Sequence, residues 1–102
     1  MSKKFDKEVL AEGAYFTFTC STLSGSQPLF FQWFKDGQII TSQSKDIQIT
    51  SLGKMQSILS IENVKAIDSA NYTCNAKNDF GEDIISIRLI VRGKAINLIA
   101  NY

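Results

Sequence analysis

From Ala14 to Thr22 the side chains alternate. Ala14, Phe16, Phe18 and Cys20 fall on one side of an extended backbone; Tyr15, Thr17, Thr19 and Ser21 fall on the other. A period of two, carried by β-branched and aromatic residues, predicts a strand with one face buried. The segment 24–28 reads as a turn. Leu29 to Lys35 then repeats the pattern, with Leu29, Phe31 and Trp33 inward and Phe30, Gln32 and Phe34 outward. Asp36-Gly37 is a hairpin signal leading into a short segment, Gln38 to Thr41. Ile47 and Ile49 mark a further strand, and 51–54 turns the chain into a strand over 56–61 with Leu59 and Ile61 inward. Val64 is placed at that end of the core. Tyr72, Cys74 and Ala76 share one phase, Asn78 to Gly81 forms a hairpin tip, and Ile84 to Val91 is the last strand. Short strands at regular spacing predict an all-β, two-sheet antiparallel sandwich. No stretch keeps a 3.6-residue period long enough for a helical bundle.

The 102 residues suffice for one domain with a modest core. The expected domain is 1–93, with Arg92-Gly93-Lys94 at its edge and an apolar linker or tail over 94–102. A net charge of +1 gives no electrostatic reason to expect nucleic acid or acidic lipid. No apolar run approaches the ~20 residues that span a bilayer. Nor does Met1-Ser2-Lys3-Lys4 open a signal peptide. Membrane attachment is therefore expected only through a segment outside these residues.

Histidine is absent, which removes Ser–His and Cys–His nucleophilic pairs and most zinc sites. The glycines sit in turns and not between a strand and a helix, so no phosphate loop is formed. The acidic residues have no calcium-loop spacing. No cofactor, no metal and no catalytic residue are expected. The two cysteines fit one disulfide in an oxidising compartment, or two buried thiols in a reducing one.

Trp33 follows Cys20 by thirteen residues, and Cys74 ends the run Asp68-Ser69-Ala70-Asn71-Tyr72-Thr73-Cys74. With Lys35-Asp36-Gly37, Leu59-Ser60-Ile61 before Val64, and Ala76-x-Asn78-x-x-Gly81, the chain resembles immunoglobulin domains of the I-set over about residues 5–92. The resemblance implies an inter-sheet disulfide between Cys20 and Cys74, with Trp33 packed against it. It further implies that Tyr72 is the tyrosine of a corner whose hydroxyl bonds back to nearby backbone. Asp68 is expected to brace that corner, paired with Lys45. More narrowly, Gly25-Ser26-Gln27-Pro28-Leu29 ahead of Trp33-Phe34-Lys35-Asp36-Gly37-Gln38 resembles the Down syndrome cell adhesion molecule family (Dscam), including shortened arthropod forms. Those domains often carry Asp where this chain has Ser26.

With the signature residues committed to architecture, the outward faces carry the functional expectation. One sheet is expected to expose Phe30, Gln32, Phe34, Asn71, Thr73, Asn75, Lys77, Ile84, Ser86, Arg88 and Ile90, with Phe30, Phe34, Ile84 and Ile90 forming a cluster. The other exposes Tyr15, Thr17, Thr19, Ser21, Gln48, Thr50, Ile58, Ser60 and Glu62, and is almost uncharged. Asn71-Tyr72-Thr73 is a glycosylation sequon with Asn71 outward. A glycan there would shade the first face, which favours the second as the protein interface.

The expected function is an extracellular, cell-surface domain of an adhesion receptor. Dscam-type resemblance implies homophilic pairing with the same domain on an opposing molecule. The alternatives are a structural I-set domain inside a giant muscle protein, with reduced cysteines and a bare Asn71, or a heterophilic receptor ectodomain.

Overall fold

The computed structural model describes residues 6–22, 29–41 and 44–93. Its strands are β1 (Asp6–Ala11), β2 (Phe16–Ser21), β3 (Phe30–Lys35), β4 (Gln38–Ile39), β5 (Gln48–Ser51), β6 (Gln56–Ile61), β7 (Ala70–Asn78) and β8 (Gly81–Arg92). They form a five-stranded sheet, β1-β8-β7-β3-β4, and a three-stranded sheet, β2-β6-β5. Every pairing is antiparallel except that of β1, which runs parallel to β8. Alternation does not reveal β1, because Asp6, Lys7 and Glu8 break the apolar phase and only Leu10 packs against the core.

The predicted phases hold across the interface between the sheets. Phe16, Phe18 and Cys20 of β2 and Leu59 and Ile61 of β6 face Trp33, Tyr72, Cys74 and Leu89 from the other sheet, and all are buried. Cys20 and Cys74 are joined by a disulfide, with Cα atoms 6.3 Å apart. Trp33 lies opposite Cys74 in the β3–β7 register. Its ring meets Phe18 edge-on, with centroids 5.4 Å apart. An indole N–H taken out of water needs an acceptor. Ser57 Oγ provides it from the opposite sheet at 2.8 Å, which explains a serine buried to 2% exposure within a run of apolar core positions.

The turns follow their residue chemistry. Asp36 (φ 49°) and Gly37 (φ 83°) both lie in the left-handed region, as a two-residue hairpin between Lys35 and Gln38 requires. The β7–β8 hairpin closes between Asn78 and Gly81, and Asn78 Oδ1 accepts the backbone N–H groups of Phe80 and Gly81. The segment 24–28, expected as a turn, and the tail 94–102 lie outside the described residues.

At the crossing from β6 to β7, a short 3-10 turn at Ala66–Asp68 sets the corner. Tyr72 is fully buried and donates its hydroxyl to the backbone carbonyl of Asp68 at 2.6 Å. The Asp68 carboxylate does not pair with Lys45. Its Oδ2 accepts the backbone N–H of Lys65 at 2.7 Å instead, because a local turn amide three residues away is closer to hand than an exposed lysine beside β5. Burial, together with the nearby charges of Asp68 and Asp36, pushes the Tyr72 phenol well above its ordinary range.

A sign follows for alkaline stability. Below about pH 10, the ordinary tyrosine pKa, the phenol is protonated whether folded or unfolded, and its contribution is complete. Above that pH the unfolded chain releases the proton while the folded domain holds it, so stability falls as pH rises. Tyr72→Phe is expected to lower stability at neutral pH by about 1–3 kcal/mol, since the Asp68 carbonyl loses its buried donor. The same variant should show a shallower loss above pH 10, read by denaturant melts at a series of pH values. An unchanged alkaline slope would exclude Tyr72 as its source.

Candidate functional site

With the signature residues consumed by the core, the surfaces available to a partner are the two outward sheet faces. The register assigns each side chain its neighbours. On the five-stranded sheet, Phe30 sits opposite Lys77, which is opposite Glu82. Gln32, Asn75 and Ile84 form the next outward row, followed by Ile39, Phe34, Thr73 and Ser86, then Asn71 and Arg88. Ile90 lies beside Val9 at the β1 margin. The expected apolar cluster of Phe30, Phe34, Ile84 and Ile90 therefore does not form. A central strand, β7, places Lys77, Asn75 and Thr73 between them, and polar residues on the middle strand divide the face.

The polar groups of this face are largely engaged with one another. Asn75 Nδ2 donates to Glu82 Oε2 at 2.8 Å, the Thr73 and Ser86 hydroxyls bond at 2.8 Å, and Arg88 donates to Asn71 Oδ1 at 3.2 Å. Asn71 is consequently half-buried and tied at both ends, its backbone N–H being donated to Asp36 Oδ1 at 2.9 Å.

The three-stranded sheet presents a different surface. Thr17, Ser60 and Gln48 form one outward row; Thr19, Ile58 and Thr50 form the next; Ser21 and Gln56 form the third. None of these side chains is charged. Tyr15, 59% exposed, stands at the margin just before β2. Ile58 is the one large apolar side chain in these rows, half-buried at their centre. The register thus brings together seven of the nine predicted residues, and Tyr15 flanks them. Ser60 departs from the expectation of exposure at 9%, because it is short and sits on the middle strand between Thr17 and Gln48. Among the described residues the side chains of Thr17, Thr19, Gln48 and Thr50 make no hydrogen bonds with one another, in contrast to the ladder on the opposite face.

A third feature was not anticipated from the sequence. Between the sheet edges at β4 and β5 lies a groove of about 520 Å³ lined by residues including Phe31, Ile39, Ile40, Ile47 and Ile49. Its lining comes from β3, from 39–41 at and after β4, and from 47–50 at β5. The cue in the sequence is the density of isoleucine over 39–49, whose meaning depends on which edges meet. Among the described residues no group of three or more acidic or cysteine side chains could hold a metal ion. No helix there is long and apolar enough to cross a membrane.

Two sheets packed face to face, a disulfide between them, a tryptophan against it and a tyrosine corner define an immunoglobulin-type sandwich. The family model of the immunoglobulin I-set domain matches residues 1–91, and the chain belongs to that family. It is 31% identical over 97 residues to human pro-neuregulin-2, membrane-bound isoform, covering 94% of this chain and 11% of that protein. It is 37% identical over 76 residues to the Drosophila melanogaster cell adhesion molecule Dscam2, covering 74% of this chain and 4% of that protein. Among solved structures it resembles the I-band fragment I67–I69 from titin, with a TM-score of 0.77 and 30% identity, covering 89% of this chain and 31% of the fragment. The chain thus spans a small part of each relative's length. The domain is a non-enzymatic module.

Proposed function

We propose that this is an extracellular adhesion domain that pairs homophilically, through the outward face of β2, β6 and β5, with the same domain on an opposing molecule. The observation that carries the reading is the uncharged surface built from the Thr17–Ser60–Gln48 and Thr19–Ile58–Thr50 rows. Two copies related by a two-fold axis present the same patch to each other, so any charge near the axis would meet its like. A face without charge avoids that repulsion, and hydroxyl and amide groups can both donate and accept across it. The relatives add that I-set domains occur in proteins named for adhesion and for membrane attachment.

The disulfide supports an oxidising compartment over the muscle-type alternative. Asn71 belongs to the same reading as a glycan acceptor on the opposite face, where a glycan would leave the uncharged face free.

Adhesion of this kind uses weak individual contacts multiplied by several modules and copies. The isolated domain, secreted from a eukaryotic host, is therefore expected to show a concentration-dependent monomer–dimer equilibrium in sedimentation equilibrium. Its intact mass should exceed the polypeptide mass by one glycan, lost in Asn71→Gln. A strict monomer through high micromolar concentration would overturn homophilic pairing by this domain, and an unmodified mass would remove the glycan from the picture.

A further inference from the structure

We infer that the paired copies run antiparallel, with Lys54 of each set against Glu62 of the other, and that this crosswise ion pair decides which partner fits. The arrangement rests on the proposed use of the β2, β6 and β5 face. The rows of that face are uncharged, but its two ends are not. Lys54 stands in the turn between β5 and β6, and Glu62 directly follows β6. Both are exposed. Ile61 is buried, which leaves Glu62 in the outward phase of Ser60 and Ile58. Lys54 and Glu62 each lie four residues from Ile58, on opposite sides of it. In an extended strand that is about 14 Å. Ile58 thus marks the midpoint between two opposite charges. Lys45 and Asp46 adjoin the Glu62 end on the β5 side; adjacent and of opposite sign, they offset each other.

Two copies placed face to face are related by a two-fold axis in the plane between them. An axis along the strands brings each residue to the same end of its mate. Lys54 then faces Lys54, and Glu62 faces Glu62. An axis across the strands at Ile58 exchanges the ends, so two Lys54–Glu62 contacts form while Ile58 still meets Ile58. Like charges repel and opposite charges attract, so the charge pattern selects the second arrangement. Chain direction agrees. The Glu12 N–H is donated to the Arg92 carbonyl and the Gly13 N–H to the Val64 carbonyl, so β8 finishes at the Glu62 end of the domain. In the antiparallel pair the two β8 ends leave at opposite ends of the assembly, as copies on opposing molecules require. In the parallel pair they would leave together, as neighbours on one surface do.

Charge reversal tests this in sedimentation equilibrium of the secreted domain. Lys54→Glu and Glu62→Lys each turn both attractive contacts into repulsive ones. Each is expected to weaken pairing at least roughly tenfold, with the amide spectrum unchanged in dispersion. The double variant Lys54→Glu/Glu62→Lys exchanges the charges and should pair within about threefold of wild type. In the parallel arrangement Lys54→Glu would leave like charges opposed and change little. Carbodiimide coupling of a mixture of 14N and 15N chains should join Lys54 of one isotope to Glu62 of the other. Ile58→Asp separates the two levels. If it abolishes pairing while the single reversals have no effect, or while the double variant stays as weak as they are, the antiparallel arrangement is overturned and the face stands. If Ile58→Asp leaves pairing intact, or the wild type is a strict monomer, the face falls and the arrangement with it.

Discussion

Cys20→Ala is expected to lower the stability of the domain by about 4 kcal/mol, a large part of what holds a small domain folded. The disulfide closes a loop of 54 residues between β2 and β7, and without it the unfolded chain regains the entropy of that loop. The lost cross-link also lies at the centre of the core. Cys74 has no exposed surface and pairs in register with Trp33, so the variant leaves a lone thiol and a gap where Sγ had been. At 4–8 °C per kcal/mol for a domain of this size, the melting temperature should fall by roughly 15–30 °C. Thermal melts of the oxidised protein with and without reductant check the same quantity independently. A reduced wild-type domain melting within a few degrees of the oxidised form would show that packing, not the cross-link, dominates.

The second large effect is on association. Ile58→Asp is expected to abolish self-pairing at concentrations where the wild-type domain is half dimeric, while the amide spectrum stays dispersed. Ile58 occupies the middle of the uncharged face, with Thr19 and Thr50 as its register neighbours. An aspartate there would face its symmetry mate and lose hydration on docking, and like charges brought together in this way cost several kcal/mol. Tyr15→Asp, at the margin of the same face, should weaken pairing as well. Phe34→Asp should change it little, since Phe34 lies on the divided, hydrogen-bonded face beside Thr73 and Ile39. If instead Phe34→Asp abolished pairing and Ile58→Asp did not, the interface would move to the five-stranded sheet.

The inward residues were legible because burial and phase coincide. Phe16, Phe18, Cys20, Leu59, Tyr72 and Cys74 each occupy the side that alternation assigned, and each is buried. The hairpins at Asp36-Gly37 and Asn78–Gly81 were legible because their backbone needs residues of specific types. The surface was less so. Alternation says which residues point outward but not which lie side by side. Phe30, Phe34 and Ile84 share an outward phase, yet the register sets Lys77, Asn75 and Thr73 of β7 between them. Asp68 was rightly placed at the corner, but its partner was a turn amide and not a lysine.

The sequence by itself determined the class of sandwich, the residues of its core and the absence of charge along the outward positions of β2, β5 and β6. These are properties of single strands, fixed by a two-residue period. Tertiary structure alone decided that β1 runs parallel to β8, that Ser57 serves the Trp33 indole, that Ser60 is covered by its neighbours, and that a groove opens beside the short β4. Each of these depends on which strands meet and in what register, and that is set by contacts between residues far apart in the chain.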